Sequence, residues 1–152
     1  MAAQPAPEHA LLAKMAGRWK AEITSADPAA PDTGDYEAEI ELGGLWLTSE
    51  FSGTMMGSPF VGHDLFGFDP FKKKYVGCWT DSWSSYMVVS EGDYDAATKT
   101  LTMSGDSVDP ASGGIVRMVN RTKFVDDDHM LFTMHMGGAD APAMMTIRYT
   151  RK

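Results

Sequence analysis

The clearest feature of the sequence is a period-two alternation of apolar and polar residues that recurs in many short segments. Between Tyr36 and Leu42, apolar residues including Ile40 occupy every second position, and glutamates occupy the positions between them. Successive side chains of a β-strand point to opposite faces, so this segment is predicted to be a strand with one buried and one solvated face. A sheet covered on one side only is typical of antiparallel structure.

The segment from Phe66 to Asp81 is predicted to be a β-hairpin. Asp69-Pro70 is a turn signal, because the aspartate side chain bonds nearby backbone and proline fixes its own φ. Lysines at 72–74 suit a solvated tip. In the second strand, Trp79 and Asp81 share one face, so both are predicted to point inward.

About ten short strands, spaced by about 10–15 residues, are separated by Gly-, Pro- and Asp-rich turns. One helix is predicted at residues 8–16 and ends before Gly17. Gly43-Gly44 is predicted to be a two-residue hairpin turn, and residues 27–34, 53–59, 92–95 and 106–114 to be loops or turns. The predicted strands are 18–24, 36–42, 45–52, 60–68, 75–81, 85–91, 99–105, 115–124, 129–137 and 143–150.

These segments predict an all-β, up-and-down antiparallel barrel with a short N-terminal helix. The strands follow one another as hairpins, and a closed barrel removes the exposed sheet edges that a sandwich leaves. The apolar face of each strand is then assigned to the interior. The 152 residues are predicted to form a single domain, residues 1–152.

Composition and charge narrow the classes of partner. A net charge of −8 argues against nucleic acid, whose binding needs clustered lysine and arginine. The one cysteine, Cys78, excludes an internal disulfide and fits a reducing compartment. We find no signal-peptide pattern and no apolar run long enough to span a bilayer. The expectation is a cytoplasmic monomer or homodimer that contacts neither membrane nor nucleic acid.

The predicted interior favours a small hydrophobic or aromatic ligand. The chain has 12 methionines, and methionine is flexible and polarizable, which suits adaptable binding surfaces. Plain core filling explains the methionines equally well, and an interaction module with a packed core is a third interpretation. The residues predicted to line a ligand pocket are Tyr36, Ile40, Trp79, Asp81, Trp83, Met87, Met103, Met118, Met134 and Tyr149, with Met136 and Met145 also pointing inward.

The alternative function is a small-molecule enzyme, an isomerase or hydrolase, with Asp81 or His63 as the acid–base group. His63 and Asp64 are adjacent and face opposite sides, so they form no dyad. Met134-His135-Met136 suggests copper, but the same parity points His135 away from both thioethers. No catalytic residue, metal site or cofactor is therefore assigned.

A series of short motifs resembles one known family. They are Gly17-x-Trp19, Gly43-Gly44, Gly67-Phe68-Asp69, Trp79-x-Asp81, Gly92-x-Tyr94-Asp95 and the C-terminal Arg148-Tyr149-Thr150-Arg151-Lys152. Over nearly its full length, the chain resembles the bacterial domain of unknown function 1579 family. The resemblance implies a lipocalin-like, calycin-type barrel and carries no assigned activity.

Related barrels suggest roles for the C-terminal residues. Calycins place a basic residue of the last strand against the motif tryptophan, so the resemblance implies that Arg148 or Arg151 contacts Trp19. Fatty-acid-binding proteins carry Arg-x-Tyr on this strand to hold a carboxylate. Here Arg148 and Tyr149 are adjacent and face opposite sides, which counts against carboxylate capture. Haem-binding nitrobindins have a C-terminal histidine, whereas this chain has none after His135.

Overall fold

The computed structural model describes residues 1–24 and 32–152, and within them it is an all-β protein with one short helical segment. A 3-10 turn at Pro7–Leu11 continues into the α-helix α1, Leu12–Met15. The strands are β1 Gly17–Thr24, β2 Asp32–Glu41, β3 Trp46–Met55, β4 Ser58–Asp69, β5 Lys74–Asp81, β6 Val88–Asp95, β7 Thr100–Val108, β8 Ile115–Asp126, β9 His129–Met136 and β10 Ala143–Arg151.

The ten strands form a closed antiparallel barrel in which each strand pairs with its neighbours in sequence. The barrel closes between the first and last strands, where Trp19 lies opposite Arg151 and Ile23 opposite Ile147. Closure pairs both edges of the sheet, which removes the templates for aggregation that open edges provide. The predicted up-and-down barrel of about ten strands is confirmed.

Period-two alternation sets which side chains enter the barrel. In β1, Trp19, Ala21 and Ile23 are buried and the residues between them are exposed. In β2, Tyr36 and Ala38 are buried and the intervening glutamates face solvent. The prediction that the apolar face lines the interior is therefore confirmed for β1 and for Tyr36 and Ala38 of β2, whereas Ile40 near the end of β2 is exposed.

The helical segment covers one end of the barrel. Leu11, Leu12 and Met15, the apolar stripe of the segment, are all buried. The Tyr75 hydroxyl donates a hydrogen bond to the carbonyl of Glu8 at 2.8 Å, which fastens the segment to β5. The predicted helix at 8–16 is thus confirmed in position, although its first turn is a 3-10 helix rather than an α-helix.

The turn of the β4–β5 hairpin has the predicted chemistry. The Asp69 carboxylate accepts the backbone N–H groups of Phe71 at 2.9 Å and Lys72 at 3.1 Å. The β2–β3 turn differs from its prediction, because it spans residues 42–45 rather than Gly43-Gly44 alone. Three consecutive residues of this turn have positive φ, beginning with Leu42.

Two predicted loops are strand. Residues 53–55 extend β3 and 58–59 begin β4, while the predicted turn at 92–95 completes β6. The reason is the same in both cases, since each glycine lies where a neighbouring strand comes close. A Cβ on Gly53 would lie 2.6 Å from the Cα of Gly34, and one on Gly92 would lie 2.9 Å from the Cα of Met103.

Two other boundaries shift. The strand predicted at 85–91 begins only at Val88, so residues 82–87 form the β5–β6 connection. The loop predicted at 106–114 is shorter, because β7 extends to Val108. In the loop predicted at 27–34, residues 32–34 belong to β2, and 27–31 lie outside the described residues.

Candidate functional site

The barrel encloses a cavity of about 390 Å³ that extends from Met15, under the helical segment, to the β5–β6 connection at the other end. Its wall is built from inward-facing side chains of the strands, most of which are apolar or aromatic. The alternation that buries one face of each strand therefore also builds the cavity wall.

Eight of the ten residues predicted to line a ligand pocket do line this cavity. They are Tyr36, Trp79, Asp81, Trp83, Met103, Met118, Met134 and Tyr149. Their contact with a ligand stays a prediction. Ile40 and Met87 are outside the lining, so their placement was wrong. Ile40 has the inward parity but lies near the end of β2 and is 41% exposed, and Met87 precedes β6 and is 55% exposed.

Methionine is the most frequent residue of the wall. Nine of the 12 methionines contribute, including Met136 and Met145 as predicted. The other three, Met1, Met56 and Met87, are exposed. A wall of flexible, polarizable thioethers can adjust to ligands of different shape.

The aromatic residues fall into two groups rather than one wall. Phe60 stacks on Trp79 with ring centroids 6.3 Å apart and meets Trp83 edge-on at 5.5 Å. Tyr149 instead lies against Tyr36, at 5.4 Å between centroids. Tyr149 is separated from the two tryptophans because β10 adjoins β1 and β9 and not β5.

Asp81 fixes the two tryptophans. Its carboxylate accepts the indole N–H of Trp79 at 2.9 Å and the backbone N–H of Trp83 at 2.9 Å. The indole N–H of Trp83 in turn donates to the carbonyl of Pro59 at 3.0 Å. The Asp81 carboxylate therefore bonds to groups of its own connection and strand end.

His63 lies on the outside of the barrel, which overturns its assignment as an interior acid–base group. Its side chain is 62% exposed and its Nε2 atom is 3.0 Å from the carboxylate of Glu50 on the neighbouring strand. In β4 the inward positions are those of Phe60, Gly62, Asp64 and Phe66. The histidine therefore contributes to the surface and not to the cavity.

Asp64, which the sequence analysis did not single out, lies inside the barrel. It pairs across the sheet with Ser49 on one side and Trp79 on the other. Its Oδ1 atom also lies within van der Waals distance of Gly77 on β5, 3.5 Å from where a Cβ of that residue would be. The signal available in the sequence was parity, because Asp64 occupies an inward position between Phe60 and Phe66.

Burial changes the acidity of Asp64 and of the two interior tyrosines. Desolvation raises the pKa of Asp64 to about 7, against the opposing effect of a hydrogen bond from the backbone of Leu65. Burial also raises the pKa of the hydroxyls of Tyr36 and Tyr149, and the Asp64 charge adds to both shifts. Both tyrosines therefore remain neutral hydrogen-bond donors at physiological pH.

Two further polar atoms in the wall have unused hydrogen-bonding capacity. The Oγ atom of Ser49 and the Oδ1 atom of Asn120 are buried and have no partner within the described part of the chain. Buried polar atoms are almost always satisfied by protein, water or ligand. Their position in the cavity wall makes them candidates for contact with a bound molecule.

The side chains of Met134, His135 and Met136 do not point to a common site. Met134 and Met136 line the cavity, whereas His135 is not part of the lining. Its Nδ1–H donates to the carbonyl of Ala141 at 2.7 Å, and its Nε2 atom is 2.9 Å from Thr133 Oγ1. The predicted parity of this run is thus confirmed. Across residues 1–24 and 32–152, no three His, Cys, Asp or Glu side chains are grouped so as to hold a metal ion.

The closed ten-stranded barrel, the helical cover and the apolar cavity define a lipocalin-like β-barrel protein. The chain belongs to the family described as Protein of unknown function (DUF1579), whose family model matches residues 4–151. This confirms the family resemblance that the motifs indicated.

Comparison with solved structures gives the same fold. The S-type phycobiliprotein lyase CPES from Guillardia theta is similar, with a TM-score of 0.57 and 10% sequence identity over 95% of this chain and 92% of that chain. At that identity the likeness shows the fold alone. No curated protein matches the sequence. None of the helices in the described residues has the length and apolar character needed to cross a membrane.

Proposed function

We propose that the protein binds a small, largely apolar or aromatic molecule inside its barrel. The observation that carries the proposal is the cavity of about 390 Å³ with its wall of methionines and aromatic rings. Small-molecule sites typically have volumes of about 300–1,000 Å³ and are mostly apolar, with a few placed polar groups. Here Asp64, Ser49 and Asn120 are such groups.

The cavity is larger than the voids that accompany ordinary core packing. Protein interiors pack as densely as organic crystals, and gaps above the size of a water molecule are few. Methionines such as Met103 and Met118 could fill space by changing rotamer, yet the cavity persists between them. An apolar ligand that displaced water from it would gain about 25 cal/mol for each Å² of apolar surface removed from water.

The end of the cavity opposite the helical segment offers a route of entry. Trp83, Tyr86 and Met144 line the cavity there and are 45%, 41% and 41% exposed. Apolar side chains that are half in solvent can contact an incoming ligand before it is fully enclosed. The similar barrel of the phycobiliprotein lyase is compatible with this proposal at the level of the fold.

The enzyme alternative is supported by one observation, the raised pKa of Asp64. The enzyme of this alternative would pair two titratable groups within hydrogen-bond reach inside the barrel. Within the described residues, the Asp64 carboxylate has no side-chain hydrogen bond and no ion pair, and His63 lies outside. The arrangement therefore favours a binding protein over an isomerase or hydrolase.

Methionine-methyl NMR tests the proposal directly. On titration with 1-methylnaphthalene, a neutral apolar probe, we expect saturable shifts of the nine cavity methyl groups and none for Met1, Met56 and Met87. Met118→Trp should fill the cavity and weaken binding by about tenfold or more. Met56→Trp, at a 75% exposed position, is the matched control and should bind as the wild type does.

Some outcomes would overturn the proposal. One is the absence of saturable shifts at the solubility limit of the probe. Another is equal affinity in folded Met118→Trp and Met56→Trp. If Met118→Trp does not fold, competition between 1-methylnaphthalene and a second apolar probe in the wild type replaces it. Failure to compete would then contradict a single internal site.

A further inference from the structure

We infer that the cavity selects apolar molecules that carry a positively charged nitrogen, which pairs with the carboxylate of Asp64. The inference rests on the proposed binding function and names the class of ligand. It predicts discrimination against carboxylates such as fatty acids, which barrels of similar architecture hold with an arginine.

The charge of the cavity wall favours a cationic ligand. The charged residues of the lining are Asp64 and Asp81, and the described lining contains no lysine, arginine or histidine. An anionic ligand would therefore bring like charges together in a medium of low dielectric constant, where their repulsion is strong. A cationic ligand meets the opposite situation, because its charge compensates a buried carboxylate.

Of the two carboxylates in the lining, Asp64 is the one that is free to pair with a ligand cation. Asp81 already accepts hydrogen bonds from Trp79 and from the backbone of Trp83. Asp64 has no ion pair in the described chain. A buried carboxylate without a cationic partner is costly to ionise, so a ligand that supplies the partner gains from its neutralisation.

The neighbours of Asp64 in the wall are uncharged. Gly62, two residues before Asp64 on the same face of β4, has no side chain because a Cβ there would meet the indole of Trp79. Asp64 and Trp79 are directly opposite on neighbouring strands. The residue beside Asp64 on β5 is thus aromatic and uncharged, and it brings no competing cation to the carboxylate.

A second hydrogen-bond acceptor lies beside the Asp64 carboxylate. Ser49 is directly opposite Asp64 on the other side, is 7% exposed and has an unpartnered Oγ atom within the described residues. An ammonium group has three N–H donors and no acceptor. Asp64 and Ser49 together can accept two of these donors.

The pH dependence follows from the groups that face this point. They are Asp64 on β4, Asp81 on β5, Tyr36 on β2 and Tyr149 on β10. Burial raises the pKa of Asp64 to about 7 and keeps both tyrosines protonated. Protons compete with a cation for the Asp64 carboxylate, so affinity for a cation should rise as pH increases through about 7. Affinity for a neutral probe should stay constant.

A matched set of three probes tests the inference on the full chain. They share one ring system and differ in charge: 1-naphthylmethylammonium, 1-methylnaphthalene and 1-naphthoate. At pH 8, methyl NMR or calorimetry should show the cation binding about 10- to 100-fold more tightly than the neutral probe, since a hydrogen bond to a charged group has this effect. The anion should bind more weakly than the neutral probe.

Variants assign the preference to one residue. Asp64→Asn should remove the advantage of the cation over 1-methylnaphthalene, together with its pH dependence. Glu50→Gln, which neutralises an exterior acid on the neighbouring strand, should change neither. Loss of the preference in Asp81→Asn but not in Asp64→Asn would overturn the assignment to Asp64.

The outcomes distinguish this inference from the function on which it rests. If no probe binds, the proposed function fails and the inference fails with it. If 1-methylnaphthalene binds but the cation binds no more tightly than naphthoate at pH 8, only the inference is overturned. If Asp64→Asn does not fold, the pH titration of the wild type decides, because a pH-independent preference between pH 5 and 8.5 contradicts the role of Asp64.

Discussion

The guanidinium carbon of Arg151 lies 4.1 Å from the ring centroid of Trp19, across the seam where β10 meets β1. The same guanidinium group donates to the carbonyls of Ala16 at 2.7 Å and Asp127 at 2.9 Å. Trp19 is fully buried, and its indole N–H donates to Met15 O at 2.9 Å. Of the two arginines suggested by the calycin resemblance, Arg151 therefore takes the structural role.

Replacing Arg151 should destabilise the barrel at its seam. Arg151→Ala removes a cation–π contact and leaves two backbone carbonyls without their donor, so we expect a loss of about 1–3 kcal/mol in the free energy of unfolding. Urea denaturation measures the change. Arg148→Ala, at an exposed position on the same strand, is the control and should stay within about 0.5 kcal/mol of the wild type. Equal effects of the two substitutions would contradict the role of Arg151.

Gly17 should be intolerant of a side chain for two separable reasons. Its φ of +118° is unfavourable for other residues, and a Cβ would lie 2.5 Å from Nη1 of Arg151. Gly17→Ala should therefore cost about 2 kcal/mol or more. Gly138→Ala is the matched control, because Gly138 has a φ of +123° and no atom within 4 Å of its added Cβ. The excess cost at Gly17, read from paired urea curves, measures the clash, and no excess would mean that Arg151 moves away freely.

The hydrogen bond from Tyr75 to Glu8 should hold the helical segment on the barrel. Tyr75→Phe removes the 2.8 Å bond and keeps the ring, so the free energy of unfolding should fall by about 0.5–1.5 kcal/mol. Hydrogen exchange of the amides in Leu12–Met15 should become faster. Tyr86→Phe, at a 41% exposed position in the β5–β6 connection, is the control and should leave both measurements unchanged. Unaltered exchange in Tyr75→Phe would show that the segment is held by its buried apolar side chains alone.

Asp64 should make the barrel less stable at high pH. Its pKa is raised from 3.8 to about 7 on folding, so between these values the folded protein holds a proton that the unfolded chain has released. The contribution of Asp64 to the free energy of unfolding should thus fall as pH rises from about 4 to about 7 and stay constant above. Each unit of pKa shift corresponds to about 1.4 kcal/mol.

Comparison of Asp64→Asn with the wild type isolates this contribution from that of other acids. The variant should be the more stable of the two above pH 7, by about 2–4 kcal/mol, and the difference should shrink toward pH 4. Denaturation at several pH values gives the difference curve, and Glu50→Gln should give a flat one. A flat curve for Asp64→Asn would mean that the carboxylate has its ordinary pKa.

Period-two parity was sufficient to predict the interior where burial is one-sided. In β2, Tyr36 is buried and Glu37 exposed, as the alternation requires. The strand ends were harder to predict, because the alternation at Ile40 is the same as at Tyr36 and only the limit of the barrel makes Ile40 exposed. Gly53 and Gly92 were predicted to lie in turns, but they lie in strands, where a neighbouring strand comes close. No local feature of the sequence distinguishes the two situations.

The cavity also depends on contacts between non-adjacent strands, which the alternation of apolar and polar residues does not predict. The contact of Tyr36 with Tyr149 arises across β1 through the stagger of the closed barrel, and the sequence carries no direct sign of it. Asp64 could have been found, because it occupies an inward position in an apolar strand. Parity places it on the face opposite to that of its neighbour His63, which is exposed.

The barrel interior is proposed to be a binding site and not a packed core. A crystal structure of the protein grown in saturated 1-methylnaphthalene tests it most directly. The expected result is electron density for the naphthalene ring inside the barrel, in contact with Met118 and beside the Trp79 indole. Density for the probe only on the exterior, with methionine side chains filling the interior, would contradict the claim.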